Sequence, residues 1–262
     1  MTATRPWDRA AALPAPAGER PQPEVAALRG ELPSVGALFT FMRDAEMRFD
    51  TLRMRIEERT WTARGEELTI HEVVLRHPGE VKVRSSVPAL GTAANYEVWV
   101  SDGTTVQTYA AGRKLGTRRP VRPVVRGVGI DAADLPGSSK VYLPVTPLQA
   151  EAMPDLFVHP AGFCQNVLAT GACQITGTVN IAGREAVVVE CDHPRTVESV
   201  ADRPDYRVVI AVDRADGVIL RLEESMGGVV TRDATVASYE PNAALPPSAF
   251  AFTFPADTTF IY

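Results

Sequence analysis

An Asp-Gly pair set between two β-branched runs constrains this chain more than any other feature. Val208–Val212 is followed by Asp213-Arg214-Ala215-Asp216-Gly217 and then by Val218–Glu223. Gly217 can take the positive φ that a tight turn requires, so the segment predicts a hairpin rather than one long strand. Gly227-Gly228 predicts a second reversal, into Val229–Tyr239. The chain then closes through Leu245-Pro246-Pro247-Ser248 with Phe250, Phe252 and Phe254 at alternate positions.

The same signals run upstream. Ser101-Asp102-Gly103 lies between Tyr96–Val100 and Thr105–Tyr109, a further hairpin. Leu52, Met54 and Ile56 alternate with Arg53, Arg55 and Glu57, which predicts a strand with one buried and one wet face. Glu67–His77 and Val81–Ser86 read as strands about Pro78-Gly79, and Cys173–Val179 and Glu185–Glu190 as strands about Gly183. Strands joined by short turns favour an antiparallel meander over a parallel α/β sheet. Pro33-Ser34 offers a helix start, with Val35, Leu38, Phe39 and Met42 at helical spacing toward Glu46. Pro147–Thr170 predicts two short helices, because Pro154 and Pro160 interrupt its apolar pattern. Residues 112–140, rich in Gly and Pro, read mainly as a loop that inserts into the sheet, a lid rather than a linker. Residues 1–32 read as a flexible tail and 33–262 as one domain.

With 262 residues, 45% of them hydrophobic, the chain can bury a sizeable core without metals or a disulfide framework. A net charge of −5 disfavours a general nucleic-acid role. No stretch approaches the roughly 20 apolar residues of a membrane-spanning helix. The N-terminal residues lack the apolar core of a signal peptide, so the reading is cytoplasmic as the chain stands and extracytoplasmic if a leader was removed. Cys164, Cys173 and Cys191 are too few and too widely spaced for a zinc finger. Cys164 and Cys173 could pair across a short loop in an oxidising compartment, or all three could be buried thiols. His71, His77, His159 and His193 form no metal-binding spacing, and no nucleophile elbow, P-loop or dinucleotide fingerprint is present. Adjacent Cys191-Asp192-His193 is no triad, because neighbours on a strand point apart.

Four segments, taken in order, resemble the LolA/LolB-like lipoprotein-carrier superfamily with its mycobacterial lipid-binding and RseB-type regulatory relatives, an actinobacterial-type member being the nearest likeness. They are the helix leading into Phe49–Met54, Val100–Tyr109, Thr178–Val187, and Val212–Leu222 with the closure Leu245–Phe252. The resemblance implies a β-dominated α+β fold: a curved antiparallel sheet, an open half-barrel, wrapped around short helices. It also implies an apolar cavity for acyl chains or lipidated proteins, used without a cofactor.

The expected ligand-binding residues are Met54, Ile56, Trp99, Tyr109, Leu156, Phe157 and Phe163, with a closed core as the alternative. Strand parity separates Val98 from Trp99, so Trp99 could instead cover the outer side of the sheet. The basic run holding Arg113, Lys114, Arg118, Arg119, Arg122 and Arg126 suggests contact with an anionic membrane surface or acidic partner, or a solvated loop. Non-catalytic binding of a lipid, acyl chain or lipoprotein anchor is the expected function. Its rivals are a cytoplasmic enzyme that folds and cyclises a greasy intermediate in the same cavity, and an RseB-like regulator that binds a protein. No metal or cofactor is expected.

Overall fold

A computed structural model describes residues 23, 25–91, 94–121, 146–150, 152–194 and 205–261. Helix α1 (Val35–Arg43) leads into β1 (Thr51–Thr62), β2 (Gly65–Arg76), β3 (Glu80–Ser86), β4 (Tyr96–Asp102), β5 (Thr105–Ala110) and β6 (Leu115–Pro120). Helices α2 (Met153–Val158) and α3 (Ala161–Asn166) follow, then β7 (Ala172–Ile181), β8 (Arg184–Asp192), β9 (Tyr206–Asp213), β10 (Ile219–Met226), β11 (Val229–Pro241) and β12 (Thr259–Phe260). All twelve strands lie in one sheet, ordered β12-β6-β5-β4-β3-β2-β1-β11-β10-β9-β8-β7. Two meanders, β1–β6 and β7–β11, are thus stitched together by the antiparallel pairing of β1 with β11. The short β12 adds in parallel to β6.

The β-bulges gather in the half of the sheet built from β1 and β7–β11. Register shifts fall at Arg55/Ile56 against β11, at Ile219/Arg221, at Glu224/Ser225 and at Ile175/Gly177. An extra residue on one strand bends it and increases its twist. This half therefore rolls up until β7 comes within 8 Å (Cα–Cα) of β11, although three strands separate them in the sheet. Helix α1 packs on α3 and β7 inside the roll, and α2 packs on β10. The expected open antiparallel sheet wrapped around short helices is what the structure shows.

Helix α1 starts where predicted, because the Ser34 side chain accepts a hydrogen bond from Ala37 N at 3.2 Å. It buries Leu38, Phe41 and Met42 against Leu52, Met54, Ile56 and the inward residues of β8–β11. The outer face of the sheet carries a second cluster, Val98, Val100 and Tyr109, covered by Phe252 and Phe254. The alternating phenylalanines thus form an external clasp. Lys82 Nζ and Arg76 Nη2 hold it by donating to Ala251 O (2.8 Å) and Leu245 O (2.6 Å).

One expectation is corrected, and one open alternative is decided. Residues 115–120 are not loop: they form β6, in register with β5 from Thr105↔Pro120 to Ala110↔Leu115. Paired backbone overrides the weak strand propensity of Gly116 and Pro120 there. Cys173 lies opposite Cys191 across β7 and β8, not against Cys164, whose thiol meets Met42 Sδ at 3.6 Å inside the core. Residues 25–30 contact the domain: Arg48 Nη2 donates to Val25 O at 2.7 Å and Leu28 N to Arg214 O at 2.9 Å.

Candidate functional site: the inner face of the sheet

The seven apolar candidates divide between two faces. Met54, Ile56, Phe157 and Phe163 are buried in the main core, with Leu156 and Trp99 partly buried against it. Trp99 is directly opposite Val83 on the inner, helix-bearing side and donates from its indole N–H to Pro147 O at 2.8 Å. The reading that put Trp99 on the outer side is corrected, and Val98 takes that place. Tyr109 is the exception among the seven. It pairs with Val98 and packs on Phe252 and Phe254, on the opposite face from Met54 and Ile56.

At one end of this inner face a polar chain crosses β3, β2, β1, β11, β10 and β9. Ser85 Oγ is 2.8 Å from His71 Nδ1, and His71 Nε2 is 2.9 Å from Glu58 Oε2. Arg232 Nε donates to Glu58 Oε1 at 3.1 Å, and its Nη1 lies 3.3 Å from Glu224 Oε2. Tyr206 O–H donates to Glu224 Oε1 at 2.8 Å. Because ionised Glu58 only accepts, His71 presents a proton to it from Nε2, and Nδ1 shares a hydrogen bond with the Ser85 hydroxyl. His71 and Tyr206 are buried, whereas the Arg232 side chain stays 38% exposed.

Burial raises the Glu58 carboxyl, but the His71 hydrogen bond and the charges of His71 and Arg232 outweigh it and hold the group below its ordinary value. Burial and then the negative Glu224 push the Tyr206 phenol well up, so it stays a donor.

No sequence motif announces this ladder, yet one signal was present. Each member sits two residues beyond an apolar inward residue on its own strand: Glu58 after Ile56, Ser85 after Val83, Glu224 after Leu222, and His71, Tyr206 and Arg232 before Val73, Val208 and Ala234. A polar side chain at an apolar-parity position asks for a partner.

Ser85, His71 and Glu58 have the connectivity of a nucleophile, base and orienter. Ser85 lies in an interior strand, in register with His71 on one side and Glu97 on the other, so the backbone N–H groups around it belong to the ladders rather than to an oxyanion hole. Among the described residues no group of three or more His, Cys, Asp or Glu is arranged to hold a metal ion.

The basic run is divided by strand alternation. Arg119 lies on the inner side, with its guanidinium 5.6 Å from the Trp99 ring centroid. Arg118 is opposite Gln107, on the other face. Lys114 pairs with Asp257 at 2.6 Å, and Arg113 is exposed on the preceding turn. Arg122 and Arg126 lie outside the described residues. A cleft of about 350 Å³ opens beside the far end of the ladder, lined by Tyr206 with Asp192, Asp205, Arg207, Glu223 and Ser225 among others, and none of the seven apolar candidates reaches it.

No protein-family model matches the chain, and no curated protein matches its sequence. Solved structures do resemble it. The MucA/MucB complex of Pseudomonas aeruginosa superposes with TM-score 0.47 at 14% identity, over 86% of this chain and 62% of the other. LprF from Mycobacterium bovis gives 0.39 at 10% identity, over 86% and 99%. A LolA superfamily protein from Nitrosomonas europaea gives 0.34 at 9% identity, over 84% and 99%. The chain spans less than two thirds of the MucB chain it matches. The solved structures found include proteins of the group that the order of the four segments resembles.

Proposed function

We propose that this chain binds, without chemical conversion, a hydrophobic ligand that carries a polar group, such as a lipid or acyl chain, on the inner face of its sheet. The observation that carries this reading is one surface with two characters: the apolar stripe of Leu52, Met54 and Ile56 runs directly into the six-strand polar ladder. An amphiphile has the same two parts in the same order.

Part of the helical layer inside the roll is suited to yielding. Helices α2 and α3 have six residues each, neither has a side-chain N-cap, and helices this short owe their stability to packing. An acyl chain that slides between Phe157 or Phe163 and the strands exchanges one apolar contact for another. Each methylene it removes from water contributes about 0.8 kcal/mol, so a dozen leave usable affinity after the ordering cost. The ladder offers two carboxylates for one guanidinium, Glu58 and Glu224 about Arg232. That balance favours a hydroxyl, amide or ammonium group over a free carboxylate.

The test is mass spectrometry of the purified protein, first native and then after organic extraction. The expected result is a co-purifying amphiphile, and rebinding of a long-chain alcohol or monoacylglycerol by the stripped protein. A protein that is reproducibly empty and takes up neither probe overturns the reading.

A further inference from the structure

The strand register brings Cys173 and Cys191 face to face as a directly opposed pair on β7 and β8. Opposed residues in an antiparallel ladder have Cα atoms about 4.5 or 5.5 Å apart, both inside the 4.4–6.8 Å window that a disulfide spans. The side chains also converge. The Sγ atoms are 2.6 Å apart, and both thiols point at one acceptor, Leu168 O, at 3.1 and 3.2 Å. Cys191 is fully buried while Cys173 is only partly so, which leaves one sulfur open to a reagent and the other behind it.

We propose that Cys173 and Cys191 form a redox-active thiol pair that closes into a cross-strand disulfide. The oxidant is a small-molecule or protein disulfide. The Cys173 thiolate attacks one sulfur of that disulfide, giving a mixed disulfide and releasing one thiolate, which takes up the Cys173 proton. Cys191 then loses its proton and attacks Cys173 Sγ, and the second thiolate leaves and is protonated. Two electrons pass to the oxidant, which ends as two thiols.

The bond would fasten the free edge of the sheet at the point where the helical cover joins it. β7 is the last strand in the sheet order, and Cys173 follows directly on the α3 segment through Leu168–Thr170. Packing there is already tight: a Cβ at Gly171 would fall 2.8 Å from Cys191 Sγ and 2.7 Å from Asp192 O. Closing the bond would hold the cover against the rolled half of the sheet.

The experiment is refolding in a glutathione redox buffer, then alkylation under denaturing conditions and peptide mapping with and without reductant. The expected product has only Cys164 alkylated, a Cys173–Cys191 cross-linked peptide, and a Tm roughly 5–10 °C above that of the reduced protein. The Cys164→Ala variant keeps the cross-link, and Cys173→Ser loses it. Three alkylated cysteines after oxidation, or a cross-link through Cys164, overturn the proposal. Because Cys164→Ala retains both partners, mapping it decides the matter even if Cys173→Ser fails to fold.

Discussion

Arg184 on β8 clasps Asp213 at the end of β9 with two parallel hydrogen bonds, Nε to Oδ1 at 2.8 Å and Nη2 to Oδ2 at 2.6 Å. The same Nη2 reaches Asp216 Oδ2 at 2.6 Å, and Tyr239 O–H donates to that oxygen at 3.1 Å. Asp213 is 1% exposed and accepts from Asp216 N inside the Asp213–Gly217 turn. One guanidinium thus ties the hairpin most visible in the sequence to its neighbours β8 and β11.

Removing that guanidinium strands two buried carboxylates. Arg184→Ala is expected to cost about 3–5 kcal/mol, read as a lower urea midpoint with unchanged slope. Burial already holds the Asp216 carboxyl above its ordinary value against the pull of Arg184. Without Arg184 the folded state favours protonated Asp216 still more, so the loss grows as pH rises above the ordinary carboxyl value of 3.8.

Glu58 gives the opposite sign. Its carboxyl is held below the ordinary value of 4.5, so its contribution is complete above that pH and disappears as pH falls through the lower folded value. Urea unfolding followed from about pH 6 down to pH 3 should show this loss in the parent protein and a flatter profile in Glu58→Gln. Equal slopes in the two proteins would mean that His71 and Arg232 do not stabilise the carboxylate.

Gly116 marks where the C-terminal clasp sits against the sheet. A Cβ there would lie 2.7 Å from both Phe254 Cε1 and Thr258 Cγ2. Gly116→Ala is expected to lose about 1–3 kcal/mol by overpacking and to speed protease cleavage after residue 245. A clasp that resists protease as well as the parent would show that the phenylalanines adjust.

Ser85 tests the non-catalytic reading directly. Because Ser85 sits within paired strands, a fluorophosphonate should leave it unlabelled, and Ser85→Ala should bind ligand while losing about 1 kcal/mol of stability with its hydrogen bond to His71. A label on Ser85 would make the ladder a hydrolytic site.

Hairpins and faces were legible where the signal was local. Gly217 and Gly103 take the positive φ expected of them, and the Leu52-Met54-Ile56 alternation names the inward side of β1. Strand β6 was hidden because Gly116 and Pro120 carry turn chemistry, and only pairing with β5 makes the segment extended. Trp99 was ambiguous because it and Val98 are both apolar and both find cover, one on each side of the sheet.

The sequence by itself determined most of the strands, the turns at Gly103 and Gly217, and that a polar residue stands two places from an apolar one on each of six strands, since these follow from φ preferences and two-residue periodicity. Only the tertiary structure decided that those six residues meet. Glu58 and Arg232 are neighbours because β1 pairs with β11, a contact between distant parts of the chain whose register no local rule contains. The same holds for Cys173, whose partner is set by the strand opposite it rather than by the nearest cysteine along the chain.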